Sequence, residues 1–77
     1  MADIRDIVVK AIVDAAVPNA GSLRDDVSLT DQGVDSLGVF TVVMNIQDAC
    51  EIEIPDGDLD RLKTINDFVE YLTGRLA

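Results

Sequence analysis

Apolar residues recur at helical spacing in three separate stretches of this 77-residue chain, and this repetition constrains the fold most strongly. The stretches begin near Ile4, Ser36 and Ile65, and each follows the i, i+3, i+4, i+7 pattern of an amphipathic helix. Between the second and third stretches, EIEIPDGDLDRL is broken by Pro55 and Gly57 and predicts only a short helical turn. We therefore expect an all-α fold, a small four-helix bundle with three main helices and one short helix.

A long polar segment separates the first two predicted helices. Pro18 is expected to end the first helix, because a residue that precedes proline avoids helical backbone angles. The segment that follows is rich in Gly, Asn, Ser and Asp, with Leu23, Val27 and Leu29 as scattered apolar anchors to the core. A loop this long is uncommon in a compact domain unless it has a function.

Length and charge restrict the class of protein. A chain of this size forms one domain with a small core, so we expect a single domain over residues 1–77. The net charge of −9 and six unclustered basic residues argue against nucleic acid and anionic membrane surfaces as partners. The sequence has neither a signal peptide nor an apolar run long enough for membrane insertion, and the lone Cys50 cannot form an internal disulfide. We expect a cytoplasmic monomer that binds other proteins.

The second helix, predicted from Ser36 to Cys50, has two apolar arcs. The arc expected to face the core contains Val39, Val42, Val43, Ile46, Ala49 and Cys50. Leu37, Phe40 and Met44 form the other arc, and we expect them to face a partner because the core arc is filled without them.

The last helix has both a start signal and a core stripe. Thr64 and Asp67 are three residues apart and predict a variant of the capping box, with Asp in place of the usual Glu. The expected core residues are Ile65, Phe68, Val69, Leu72 and Leu76.

The residue inventory argues against catalysis. The chain has no histidine, so neither a Ser-His-Asp nor a Cys-His arrangement can form, and a single cysteine does not make a zinc site. Residues 56–67 place acids at positions 1, 3 and 5, as a calcium-binding EF-hand loop does. Arg61 stands where that loop needs glycine, and Asp67 replaces its bidentate Glu. We expect neither an enzyme nor a dedicated metal site.

One motif gives a positive indication of function. GVDSL followed by an amphipathic helix, with EIEIPD downstream and FVEYL near the end, resembles the acyl carrier protein family over essentially the whole chain. The resemblance implies that Ser36, with Asp35 and Leu37 beside it, bears a 4′-phosphopantetheine arm. A phosphopantetheinyl transferase installs the arm from coenzyme A, and acyl-loading and acyl-processing enzymes use its thiol. The free amides and dipole at a helix start suit a phosphate, although a serine there can also be simply the N-cap.

The resemblance also gives candidates for docking and cargo binding. The partner-docking residues are expected to be Asp35, Leu37, Phe40, Met44 and Asp48. An acyl pocket between the helices is expected to be lined by Val39, Ile46, Ala49, Ile54, Ile65, Phe68 and Val69.

The second helix departs from the pattern of bacterial fatty-acid carriers, which usually have acids where this chain has Gly38, Thr41 and Gln47. We therefore expect a carrier for a specialised lipid, polyketide or other secondary-product pathway. The alternatives are a housekeeping fatty-acid carrier and a small aminoacyl carrier. Peptidyl carriers are disfavoured, because they typically have Gly and His before the serine. An alternative from another class is a helical module that binds protein without modification, whereas a hydrolase using Ser36 would lack a base.

Overall fold

The computed structural model describes residues 3–17 and 19–76. Its helices are α1 (Ile4–Asp14), α2 (Ser36–Cys50), α3 (Asp56–Leu59) and α4 (Ile65–Leu76), with short 3₁₀ turns at Ala20–Ser22 and Thr30–Gln32. No strand occurs in the described ranges, and none of their helices is long and apolar enough to cross a membrane. The predicted all-α bundle with a long first loop is confirmed.

Helix α1 ends before the apolar residues Ala15 and Ala16, which continue its sequence pattern. It stops at Asp14, and Ala16 follows with a left-handed backbone at φ +57°. A left-handed residue just past the last turn is a common way to end a helix, although glycine usually takes this position. Pro18, which was predicted to end the helix, lies outside the described residues.

The core forms where α1 packs against both α2 and α4. Its fully buried side chains include Val8 and Ile12 from α1, Ile46 from α2 and Phe68 from α4. Burial of each such side chain stabilises the fold by about 1.5–3 kcal/mol. The other buried apolar residues are Ala11, Val17, Leu29, Val34, Val42, Val43, Ile54, Leu62, Ile65 and Leu72.

Two of the expected core residues are exposed. Ala49 lies in the last turn of α2 and Leu76 is the last residue of α4. Their neighbours Cys50 and Val69 are half-buried and pack against the core cluster. The prediction of burial is therefore wrong for Ala49 and Leu76.

Hydrogen bonds connect the long loop to α1, to the start of α4 and to the segment between α3 and α4. Leu29 is buried, and its backbone N–H donates to the Lys63 carbonyl at 2.8 Å. Arg5 of α1 donates two side-chain hydrogen bonds to the Asp25 carboxylate, at 2.7 and 2.9 Å. The Asn66 N–H at the start of α4 donates to the Asp25 carbonyl at 3.0 Å. These bonds hold the loop across the ends of α1 and α4.

The predicted capping box of α4 is confirmed. The Asp67 N–H donates to the Thr64 hydroxyl oxygen at 2.9 Å, and the Thr64 N–H donates to the Asp67 carboxylate at 3.1 Å. The same carboxylate oxygen accepts the Lys63 N–H at 3.1 Å. This capping fixes the connection from α3 to α4, which lies beside the candidate site.

Candidate functional site

Ser36 is the first residue of α2, and its neighbour Asp35 is the N-cap. The Asp35 carboxylate accepts the Gly38 backbone N–H at 2.7 Å, which is the bond that an N-cap side chain makes. Ser36 is exposed, and its hydroxyl makes no hydrogen bond within the described residues. The alternative in which Ser36 is simply the N-cap is therefore wrong, and its hydroxyl is free for chemistry.

The turn before α2 holds Ser36 in place. Gly33 has φ +96°, a left-handed conformation that glycine adopts without strain. The next residue, Val34, is 3% exposed, and its N–H donates to the Leu29 carbonyl at 3.0 Å. The chain thus reaches Ser36 from a buried, hydrogen-bonded residue only two positions earlier.

Ser36 lies at a surface cleft of about 570 Å³. One wall comes from the loop before α2, another from α2 itself, and the third from α3 and the residues after it. Val43 and Leu62, each 3% exposed, form part of the apolar floor. The full lining is Ser28, Thr30, Asp31, Ser36, Val39, Phe40, Val43, Leu59, Asp60, Leu62 and Lys63.

The second apolar arc of α2 is exposed, as predicted. Leu37 is 75% exposed, Phe40 55% and Met44 56%. These three side chains follow i, i+3 and i+7 spacing and so form one apolar strip, with Phe40 also lining the cleft. Asp35 and Asp48 are exposed at either end of α2.

The residues expected to form an acyl pocket do not gather at the cleft. Val39 alone among them lines it. Ile46, Ile54, Ile65 and Phe68 are buried core residues, Val69 is half-buried, and Ala49 is exposed.

The sequence interpretation did not identify the walls of the cleft that face α2. Ser28, Thr30 and Asp31 come from the loop, and Asp60 and Lys63 follow α3. The bond from Leu29 to Lys63 brings these two segments together, and it joins residues far apart in the chain. The sequence indicated Leu29 as an apolar anchor of the loop and a short helical turn over the residues near Leu62, but it held no sign that the two segments meet.

Cys50 and Tyr71 are titratable groups outside the cleft whose pKa values are raised by their surroundings. Burial raises the pKa of the half-buried Cys50 thiol, which disfavours a reactive thiolate. Burial and the hydrogen bond to Asp58 raise the pKa of Tyr71, whose hydroxyl donates to that carboxylate at 2.7 Å. Asp67 likewise accepts backbone N–H groups as part of the capping box, and the described residues contain no group of three His, Cys, Asp or Glu able to hold a metal ion.

Comparison with known proteins agrees with the geometry around Ser36. A family model described as "Phosphopantetheine attachment site" matches residues 5–72. An acyl carrier protein from Campylobacter fetus is 33% identical over 72 residues, which cover 94% of this chain and 90% of that protein. An acyl carrier protein from Campylobacter concisus is 37% identical over 70 residues, covering 91% of this chain and 87% of that protein. The chain belongs to the acyl carrier protein family.

Membership of this family establishes the kind of activity. Acyl carrier proteins are carriers and not enzymes, and they bear a covalently attached 4′-phosphopantetheine. They interact with a phosphopantetheinyl transferase and with acyl-processing enzymes. The residues of this chain fit such a group, because an exposed hydroxyl stands at the start of a helix whose first-turn amides favour an anion.

Proposed function

We propose that Ser36 accepts the phosphopantetheine arm and that residues 1–77 act as a single carrier domain. The position of the Ser36 hydroxyl carries this proposal: it is exposed at the first turn of α2, it borders the cleft, and Asp35 has taken the capping role. The family match includes this position. The arm, when attached, supplies a terminal thiol that carries acyl groups as thioesters, and the protein presents it beside the cleft.

The cleft gives a place for the arm or for the first part of its cargo. Val39, Val43 and Leu62 offer apolar contacts next to Ser36, while Asp31 and Asp60 keep its rim polar. A cargo that reached deeper would meet Ile46, Ile54, Ile65, Phe68 and Val69. Most of these side chains are fully packed, so the deeper acyl pocket that we propose requires the core to open around the chain. Ala49 faces solvent and is left out of it.

The docking surface that we propose is apolar at its centre. Leu37, Phe40 and Met44 contact partner enzymes, with Asp35 and Asp48 as flanking charges. A buried apolar contact of this kind gives most of the binding energy at an interface, whereas charges at its rim mainly set the association rate.

We further propose that this carrier serves a specialised lipid, polyketide or secondary-product pathway. At two of the positions of α2 where bacterial fatty-acid carriers usually have acids, the side chains of Thr41 and Gln47 make hydrogen bonds within this protein. The Thr41 hydroxyl donates to the Leu37 carbonyl at 2.9 Å, and the Gln47 side-chain oxygen accepts the Ile54 N–H at 2.7 Å. A side chain at Gly38 would crowd the turn, because an added Cβ would lie 3.1 Å from Val34. The three uncharged residues at these positions leave this face of α2 with little charge, which favours a distinct set of partners over chance loss of acids.

A kinetic comparison tests the choice of pathway. The arm-bearing protein is offered to standard fatty-acid synthase enzymes at increasing salt, beside a variant with Met44→Glu that adds an acid to the exposed face. We expect slow, weakly salt-dependent turnover of the parent, because few rim charges steer the encounter. Fast turnover that falls steeply with salt would instead identify a housekeeping fatty-acid carrier.

The attachment itself is tested by intact mass. The protein and its Ser36→Ala variant are incubated with coenzyme A and a broad-specificity phosphopantetheinyl transferase. The parent is expected to gain one arm and the variant none. An unmodified parent that still binds partner proteins would favour the protein-binding module, and a modified Ser36→Ala variant would refute the assignment of the site.

A further inference from the structure

The side chain of Gln32 organises the loop that forms one wall of the cleft. Its carbonyl oxygen accepts the Arg24 N–H at 2.6 Å. Its amide nitrogen donates to the Arg24 carbonyl at 2.9 Å and to the Val27 carbonyl at 2.9 Å. One half-buried side chain therefore makes three hydrogen bonds to the backbone and closes the loop over residues 24–32.

This closed loop carries three residues of the cleft. Ser28, Thr30 and Asp31 lie inside it, and all three face the cleft that Ser36 borders. The hydroxyl groups of Ser28 and Thr30 are hydrogen-bonded to each other at 2.9 Å, so this wall is ordered locally as well. The conformation of the loop therefore sets the shape of the surface opposite the serine.

Gln32 also stands at the start of the connection to Ser36. Its own N–H donates to the Leu29 carbonyl at 3.1 Å, and the Val34 N–H donates to the same carbonyl at 3.0 Å. Opening the loop at Gln32 would loosen both the wall of the cleft and the turn that leads into α2. Within the described residues, no side chain of α2 makes a hydrogen bond to this loop, since the side-chain bonds of Thr41, Asn45 and Gln47 go to other parts of the structure.

We propose that Gln32 is a positioning residue for the modification of Ser36, because its amide holds the loop in the conformation that a phosphopantetheinyl transferase engages. The inference rests on the proposed function of Ser36 and extends it to a residue that contacts neither the serine nor the arm. If the loop is open part of the time, a smaller fraction of the carrier molecules is ready to bind the transferase. The apparent dissociation constant is then raised by the inverse of that fraction, while a molecule that has bound reacts as before.

The test compares two matched changes, Gln32→Leu and Gln47→Leu. Each removes a half-buried glutamine amide that bonds to backbone, but Gln47 lies about three helical turns from Ser36 along α2. The Michaelis constant of the transferase for the carrier and its turnover number are measured at saturating coenzyme A. We expect Gln32→Leu to raise KM about three- to tenfold with kcat within about twofold of the parent, and Gln47→Leu to leave both within about twofold.

A second readout is independent of the arm. Amide hydrogen exchange is expected to accelerate at Leu29 and Val34 in the Gln32→Leu variant but not in the Gln47→Leu variant. If Gln32→Leu does not fold, Gln32→Glu is used in its place, because a carboxylate cannot donate to the Arg24 and Val27 carbonyls.

The outcomes separate this inference from the proposed function. Modification of the parent with an unchanged KM for Gln32→Leu overturns the role of Gln32 and leaves the carrier function standing. Equal rises in KM for both leucine variants also overturn it, because the effect would then be a general loss of stability. Failure of the parent to gain an arm overturns the proposed function and this inference with it.

Discussion

Removal of the Asp35 carboxylate is expected to weaken the start of α2 by a defined amount. In Asp35→Ala the Gly38 N–H loses the acceptor that now lies at 2.7 Å. Loss of an N-cap side chain typically costs about 1 kcal/mol, within a range of about 0.5–2 kcal/mol. For a domain of about 60–100 residues, a loss of about 1 kcal/mol lowers the midpoint of thermal unfolding by about 4–8 °C. The measurement is thermal unfolding followed by circular dichroism at neutral pH.

Two further variants separate capping from charge. Asp31→Ala removes an exposed acid four positions earlier that makes no side-chain hydrogen bond within the described residues, and we expect its stability to stay within about 0.5 kcal/mol of the parent. Asp35→Asn keeps an oxygen that can accept the Gly38 N–H, so its stability should approach that of the parent. Equal melting of Asp35→Ala and Asp31→Ala would refute the assignment of Asp35 as the cap, and so would equal melting of Asp35→Ala and Asp35→Asn.

Three other changes test the core, the loop and the exposed face. Phe68→Ala, at a side chain that is 0% exposed, should lower the free energy of unfolding by about 3–5 kcal/mol in urea titrations; a loss of less than about 1 kcal/mol would contradict the packing. The hydrogen bond from Arg5 lowers the pKa of Asp25, so this pair stabilises the fold above the ordinary Asp value of 3.8 and the contribution is lost as pH falls through the lowered pKa. As the pH is lowered through that pKa, the urea midpoint of unfolding should therefore fall less in Asp25→Asn than in the parent. An identical dependence of the midpoint on pH in the two proteins would exclude a stabilising pair. Met44→Ala should change the unfolding free energy by no more than about 0.5 kcal/mol yet raise the KM of an acyl-processing partner by about two- to tenfold, and an unchanged KM would remove Met44 from the docking surface.

Features set by neighbouring residues could be predicted from the sequence. Thr64 and Asp67 form a capping box because one helical turn separates them, and no distant residue takes part. The exposed strip of α2 followed from the spacing of Leu37, Phe40 and Met44. The position of Ser36 at the start of α2 was equally local, although the sequence left open whether Ser36 is simply the N-cap and did not indicate that Asp35 takes that role.

Features that depend on contacts between distant segments could not be predicted. The cleft is lined both by the long loop and by the residues after α3, which are joined by the hydrogen bond from Leu29 to Lys63. Helical spacing indicates which side of a helix is apolar but not which of those residues another element covers, and so Ala49 was placed in the core although it is exposed. The three bonds of Gln32 were likewise hidden, since a glutamine in a polar loop gives no signal of the backbone groups that it will meet.

The most direct test of the account is to locate the arm within the protein. The chain has three serines, Ser22, Ser28 and Ser36, and all fall within the family match. After incubation with transferase and coenzyme A, the protein is digested and the modified peptide is sequenced by tandem mass spectrometry. We predict that the phosphopantetheine mass is found on Ser36 and on no other residue. An arm on Ser22 or Ser28, or a fully unmodified chain, would contradict the central claim that the free hydroxyl at the start of α2 is the attachment site.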